Sequence, residues 1–310
     1  MTGPGNSMAE RLARQWEALF FPAGSAVNLA MARIFVSATA LWVVLSRDLP
    51  ATSGLPQAFW SGVTDPMRWR YLLFPGHESL ERVLQGIAIA ALVLTLLGVW
   101  PRVCSAIAGL LLYHLAPLET IFWNPNPYLR GLTIPVLALL ALSASPCGNA
   151  LALWRPASRR DSAAMPWEYA WPVRFIQVEI CFIYLFSGYS KLVDVGLLWL
   201  SPEFIRLWIV ALRQNPQTQV FHSLGPWLAE HPWLCGAMGA GSLLLELSFP
   251  AVLFSRTAKR ALVPAAFLMH VGIVLTFNIT ILFLPLFAVF VDWAAVGKQP
   301  AAHAVAAAAA

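Results

Sequence analysis

Eight apolar stretches separated by polar connections constrain this sequence more than any other feature. They run Asn28–Ser46, Leu84–Trp100, Cys104–Leu118, Gly131–Ser145, Trp171–Leu192, Trp233–Phe254, Ala261–Phe277 and Ile279–Trp293. A helix that crosses a bilayer needs about 20 predominantly apolar residues, with about 17–25 as the usual range. The third, fourth and eighth stretches are short, and the last two are also compatible with a re-entrant pair. A soluble fold is excluded by charge: only 11% of the 310 residues are charged, against about 25% in an average soluble domain. The chain is therefore expected to be an all-α integral membrane protein of about eight transmembrane helices plus an N-terminal interfacial helix. Nucleic-acid binding is excluded in the same step, because the net charge of +5 is spread among loops and forms no patch.

Three regions follow from this reading. Residues 1–27 form an N-terminal cytoplasmic segment with an amphipathic helix, in which Leu12, Trp16, Leu19 and Phe20 share one face and Arg11 and Arg14 another. Such a helix lies on a membrane surface, and without a continuous apolar run this segment is not expected to be a cleavable signal peptide. Residues 28–296 form the transmembrane domain. Residues 297–310 are mostly alanine and are expected to be disordered.

Charge distribution orients the spans. The termini and the second, fourth and sixth connections carry Arg11, Arg14, Arg102, Arg155, Arg159, Arg160, Arg256, Lys259, Arg260 and Lys298, with few acids among them. The other connections mix Arg47, Arg68, Arg70, Arg82, Arg130, Arg206 and Arg213 with Asp48, Asp65, Glu78, Glu81, Glu119, Asp194, Glu203 and Glu230. Basic residues gather on the cytoplasmic side, so both termini are expected to face the cytoplasm. The connections 48–83, 119–130 and 193–232, rich in Trp, Pro and Gly, are then exoplasmic, and a site is expected to open outward.

Cys104, Cys147, Cys181 and Cys235 form no CxxC pair and have no His at ligand spacing. A dithiol enzyme and a metal centre are accordingly not expected. No internal repeat relates the two halves, so the transporter signature is missing too.

Ionisable groups at membrane depth are costly, which makes each a site candidate. In the fifth stretch Arg174, Gln177, Tyr184, Gly188 and Lys191 step by three, four or seven and share one helical face, while Glu179 points elsewhere. Two readings stay open for Lys191. It is either a snorkelling rim lysine beside Asp194, or a desolvated amine able to act as a base near neutral pH, with Gly188 leaving room for a substrate. His114 and His270 sit in the outer halves of their spans and are expected either to bond a neighbouring helix or to wall a pocket, ligation of a haem between helices being the weaker alternative. Arg33, Arg174, Glu179 and Glu246 are expected in structural ion pairs, with Arg33 and Glu246 near mid-membrane as the default pair.

The runs IYLFSGYSKLVDVGLLW, FWNPNPYLRGL and MHVGIVLTFNITILFLPL resemble, in the same order, segments of the HTTM domain. This is the membrane module of vitamin K-dependent gamma-carboxylase and of bacterial relatives that mature secreted peptide toxins with a small partner subunit. The resemblance covers Arg33 to about Trp293. It implies that Lys191 is the base that deprotonates a reduced quinone, and that oxygen and carbon dioxide take part in modifying a peptide glutamate. Tyr184, Gly188, His270 and Tyr128 then fall on pocket or framework positions, with His114, Asn124, Asn126 and Arg130 as further wall residues. It also implies a bacterial-type inner membrane, a small periplasmic or secreted partner subunit and a peptide substrate. Two positions depart from the pattern. Asn126 stands where the carboxylase has a histidine, and an amide orients but does not relay protons; Ser190 replaces a basic residue. The carboxylase's large lumenal domain has no counterpart here, so either a separate periplasmic protein is expected to recognise the peptide or the reaction is expected to differ. The expected function is an HTTM-type membrane enzyme or enzyme subunit, possible alternatives being a non-catalytic scaffold or an immunity-type, partner-binding subunit using Trp199, Trp208 or Trp227.

Overall fold

The computed structural model describes residues 8–46, 49–52, 77–120, 130–154, 165–213, 224–277, 281 and 283–296. Among them every regular element is helical. Asn124, Asn126 and Tyr128 lie outside the described residues, as do the tail from 297 and the side chain of Arg130, whose backbone opens a helix.

In chain order the helices are α1 (Met8–Phe20), α2 (Ala26–Ser46), α3 (Glu78–Leu97), α4 (Pro101–Thr120), α5 (Arg130–Ser143), α6 (Pro166–Ser190), α7 (Pro202–Arg213), α8 (Gly225–Ala229), α9 (Pro232–Ser248), α10 (Arg256–Phe277) and α11 (Trp293–Val296). A π-helical turn, Lys191–Val195, and a 3-10 turn, Gly196–Leu200, extend α6, and a 3-10 turn, Phe249–Leu253, extends α9. Among the described residues five helices or extended helices are long and apolar enough to cross a bilayer: Ala26–Ser46, Glu78–Leu97, Pro166–Leu200, Pro232–Leu253 and Arg256–Phe277. Leu244, Phe186, Phe182 and Leu110, on α9, α6 and α4, are exposed. Large apolar side chains on the outside of apolar helices mark lipid as the solvent, and the chain is a multi-pass membrane protein.

The eighth apolar stretch does not form one continuous α-helix among the described residues. Where Ile279–Trp293 was to cross, the described residues hold a 3-10 helix, Leu284–Phe290, of 7 residues. At about 2 Å per residue it covers about 14 Å, half of a hydrocarbon core of about 30 Å. Its Leu286, Phe287, Val289 and Phe290 are buried, and Pro285 supplies no backbone N–H.

The chain divides into two compact units, Met1–Ile176 with Val291–Ala310, and Gln177–Phe290. In the first, α2, α3, α4 and α5 pack in a closed sequence, each against the next and α5 back on α2. Gly98 stops α3 in the left-handed region (φ 75°), and Pro101 opens α4 three residues on, the glycine-then-proline order that ends one helix and starts another. Arg33 of α2 is fully buried. Its Nη1 donates to the Cys147 carbonyl at 2.6 Å and the Ala150 carbonyl at 3.4 Å, and its Nη2 donates to the Leu151 carbonyl. Leu151 itself has φ 47°, so the guanidinium holds a turn with a strained residue in it. Asn28, near the start of α2, donates to Asp292 at 3.0 Å and accepts from the Ala294 N–H at 3.1 Å.

In the second unit α9 packs on α7 and α10, and α10 also meets α7 and the turn at Leu284–Phe290. Ile205, Ile209, Leu228 and Cys235 form one buried cluster there. Phe249, Phe267, Phe287 and Phe290 form another group through edge-on and tilted ring contacts.

Candidate functional site

The polar stripe of α6 faces partners within the second unit. Gln177 donates to the Val289 carbonyl at 2.8 Å. Two turns on, the Tyr184 hydroxyl meets His270 Nε2 at 2.5 Å, and its ring stacks on Phe249 with centroids 4.1 Å apart. Two further turns bring Lys191. The spacing of seven that made these residues one stripe in the sequence is the spacing that aligns them here.

Lys191 Nζ lies 2.5 Å from both carboxylate oxygens of Glu246 and 2.9 Å from Ser187 Oγ. Ser187 in turn donates to Glu246 Oε1 at 3.2 Å. The Trp199 ring centroid is 4.9 Å from Nζ, within range for a cation–π contact, and the indole N–H is fixed on Ser242 Oγ at 3.1 Å. Lys191 and Glu246 side chains retain 16% and 9% exposure, so the pair is sheltered but reachable. Snorkelling beside Asp194 does not describe this lysine, whose ammonium turns to α9.

Local structure explains the placement. Lys191 opens the π-helical turn, and Gly196, with φ 65°, closes it by donating its N–H to the Lys191 carbonyl. Single π turns re-aim side chains and cluster at functional sites. Gly188 was expected from the sequence to leave room for a substrate, and it does not: its open side is filled by α9. A Cβ there would lie 2.9 Å from Leu247 Cδ2 and 3.2 Å from Glu246 Cβ; the missing side chain is what lets α9 bring Glu246 to Lys191.

Gly239 serves the same site from the other side, because a Cβ on it would run into the Trp199 carbonyl. Backbone cannot swing away as a side chain can. Gly239→Ala is therefore expected to cost about 1–3 kcal/mol in thermal unfolding of the detergent-solubilised protein. Gly241→Ala, two residues on, meets nothing within 4 Å, and should change stability by no more than about 0.5 kcal/mol. Equal effects at the two positions would show that the Trp199 turn does not rest on α9.

The remaining candidates are dispersed. His270 is buried, bonded to Tyr184 and boxed edge-on by Phe283 and Phe287. It belongs to the framework beneath the pair. His114, in the first unit, holds Glu81 Oε1 at 2.8 Å, and Glu81 is itself buried. The default pairing of Arg33 with Glu246 is overturned: Arg33 holds backbone carbonyls, and Glu246 is the counter-ion of Lys191. Both carboxyl oxygens of Glu179 are enclosed without a hydrogen-bond partner among the described residues, so the ion pair expected of it is not seen there. Arg174 is half-buried on α6.

Ser187, Ser242 and Glu246 as the partner of Lys191 were not singled out by sequence reasoning. Ser187 was within reach, standing four residues before Lys191 on the same helix. Glu246 carried a signal too, as the sole acid within LLLELS, but nothing in one sequence tells which cation it meets.

Among the described residues no group of three His, Cys, Asp or Glu side chains is placed to hold a metal ion. Chemically, the site is a net-neutral ion pair with a hydroxyl on one side and an indole face on the other, set at the end of an apolar helix. It can bind a small polar group and exchange a proton with it.

No curated protein matches the chain. No solved structure matches it either. The HTTM domain matches residues 24–292, which includes every element of the site. With that match over most of its length, the chain belongs to the HTTM family.

Proposed function

We propose that this protein is a membrane enzyme, or the membrane subunit of one, that takes a proton from a hydroxyl group at a site centred on Lys191 and so modifies an exported peptide or a lipid-soluble substrate. The observation that carries this reading is the Lys191–Glu246 pair with its 2.5 Å contacts. Removing two charges from water inside an apolar helix bundle is expensive. A pair kept in such a place, partly reachable and braced by Ser187 and Trp199, is better accounted for by chemistry than by stability.

The distribution of arginine and lysine supports cytoplasmic termini and a site near the exoplasmic face of a bacterial-type inner membrane, since Lys191 follows the outer end of α6. A small periplasmic or secreted subunit and a peptide substrate complete this reading. A reduced quinone fits the donor set: Lys191 and Glu246 would meet its hydroxyl and the Trp199 face its ring. When bound, such a quinol supplies electrons and an acidic hydroxyl, while the protein's part is to bind the ring, shelter the pair from water and accept the proton.

A second reading, a partner-binding scaffold, is favoured by one observation. Leu207, Trp208 and Val210 on α7 and Trp227 on α8 are exposed. On that reading Lys191 tolerates Arg or Gln, whereas Trp208→Ala or Trp227→Ala abolishes capture of the partner.

The test is oxygen consumption by protein reconstituted in lipid nanodiscs with a reduced naphthoquinone. Lys191→Ala is expected to lower the rate at least about 100-fold. An unchanged rate in a variant that still inserts rejects the catalytic assignment.

A further inference from the structure

We infer that Glu246, through Oε2, is the group that receives the proton, and that Lys191 remains an ammonium whose task is to hold the oxyanion left behind. This rests on the proton-taking reading of the site given above, and changes which residue performs it.

The argument is one of hydrogen-bond capacity. An ammonium has three N–H donors and no acceptor. Lys191 Nζ has three oxygens at bonding distance, Ser187 Oγ at 2.9 Å and the two carboxylate oxygens of Glu246 at 2.5 Å each. All three donors are engaged, and the Trp199 face lies 4.9 Å from the nitrogen. With all three donors engaged, this ammonium nitrogen offers an incoming hydroxyl no lone pair.

The carboxylate is placed differently. Each of its oxygens has about two lone-pair sites. Among the described residues Oε1 accepts from both Lys191 and Ser187, whereas Oε2 accepts from Lys191 alone. Oε2 is thus the acceptor with capacity left. Of the other polar groups among the described residues, the Tyr184 hydroxyl is paired with His270 Nε2, and Ser242 with Trp199 and its own helix's Gly239 carbonyl.

The step balances without a redox partner. The substrate O–H bond breaks, an O–H bond forms at Oε2, and the electron pair stays on the substrate oxygen. Before transfer the site holds an ammonium, a carboxylate and a neutral hydroxyl. Afterwards it holds an ammonium, a carboxylic acid and an oxyanion, and the net charge is the same. Lys191, still cationic, lies against the new anion, which is where preorganised charge is most effective.

The two assignments separate by substitution. Arginine remains charged under all accessible conditions and does not act as a base, so Lys191→Arg preserves the cation and removes any basic role. Glu246→Gln keeps the shape and replaces the basic carboxylate with an amide that does not take up a proton. The probe is 4-nitrophenol, added to purified full-length protein in detergent at a pH where the free phenol is protonated and colourless. Binding with proton transfer turns it yellow, and infrared difference spectra then show a new carboxylic-acid carbonyl band.

Wild type is expected to give both signals. Lys191→Arg should retain ionisation to within about 10-fold, an Arg-for-Lys change being imperfect in geometry. Glu246→Gln should give neither signal, and Glu246→Asp should shift the infrared band. Colour in Glu246→Gln but none in Lys191→Arg makes Lys191 the base and overturns this inference while leaving the proposed function standing. A wild-type protein that binds the phenol without ionising it overturns the proposed function itself. The wild-type carbonyl band, and its shift in Glu246→Asp, decides the matter even where Lys191→Arg does not fold: colour without that band also overturns the inference.

Discussion

Lys191→Met is expected to destabilise the protein by about 3–5 kcal/mol, and adding Glu246→Leu to it is expected to restore most of that loss. Removing one partner of a sheltered ion pair leaves the other charge without compensation, which costs this amount. Removing both and filling the space with apolar side chains of similar size is often neutral or stabilising. Among the described residues Glu246 has no second cation within its bonds, its partners being Lys191 and Ser187. The comparison requires thermal or denaturant unfolding in detergent for wild type, the two single variants and the double. A double variant as stable as wild type yet inactive would separate the chemical use of the pair from its contribution to the fold. If the double variant is as unstable as the singles, the pair is a structural clamp, and the argument that its retention reflects chemistry fails.

Arg33→Ala should produce a loss of similar size, about 3–5 kcal/mol, for a different reason. Here the partners are backbone carbonyls, at Cys147, Ala150 and Leu151. A buried acceptor deprived of its donor costs about 1–3 kcal/mol. The turn also contains a left-handed leucine, which relaxes once the guanidinium is gone. Cys147 reports on this event. Its thiol is buried, and burial pushes its pKa above the ordinary thiol value, with the Arg33 charge opposing the shift in part. In wild type it should resist maleimide until the protein unfolds; in Arg33→Ala it should label under native conditions. Arg33→Lys, with a point charge in place of a fork, should fall between. Slow labelling in Arg33→Ala, equal to wild type, would show that the turn holds itself.

The apolar runs located the long helices well, because a spanning helix must hide its own backbone and so writes its length into hydropathy. Their starts were less legible. α10 begins at Arg256 and α4 at Pro101, several residues before the apolar runs expected at Ala261 and Cys104. Charged or proline residues in a first turn are compatible with helix but end a hydropathy reading. The run after Phe277 reads as apolar throughout, yet its described part is a 3-10 turn buried in the second unit. Hydropathy alone does not distinguish a buried turn from a span.

The site divides along the same line. Periodicity aligned Gln177, Tyr184 and Lys191, since all three belong to one helix. The counter-ion of Lys191 is 55 residues away in sequence, and pairing by sign and depth chose Arg33 for it instead. That guess failed because an arginine can be satisfied by carbonyls, which every sequence contains everywhere.

The clasp between Asn28 and the Asp292–Ala294 segment carries a topological consequence. Two groups 3.0 Å apart belong together in depth, and if they lie at one face of the bilayer the chain between them crosses it an even number of times. An odd number would require this contact to reach across the membrane's thickness. Reporter domains fused ahead of α1 and behind α11 should consequently read out the same compartment, whichever it is, and parity becomes a constraint that any count of crossings has to meet.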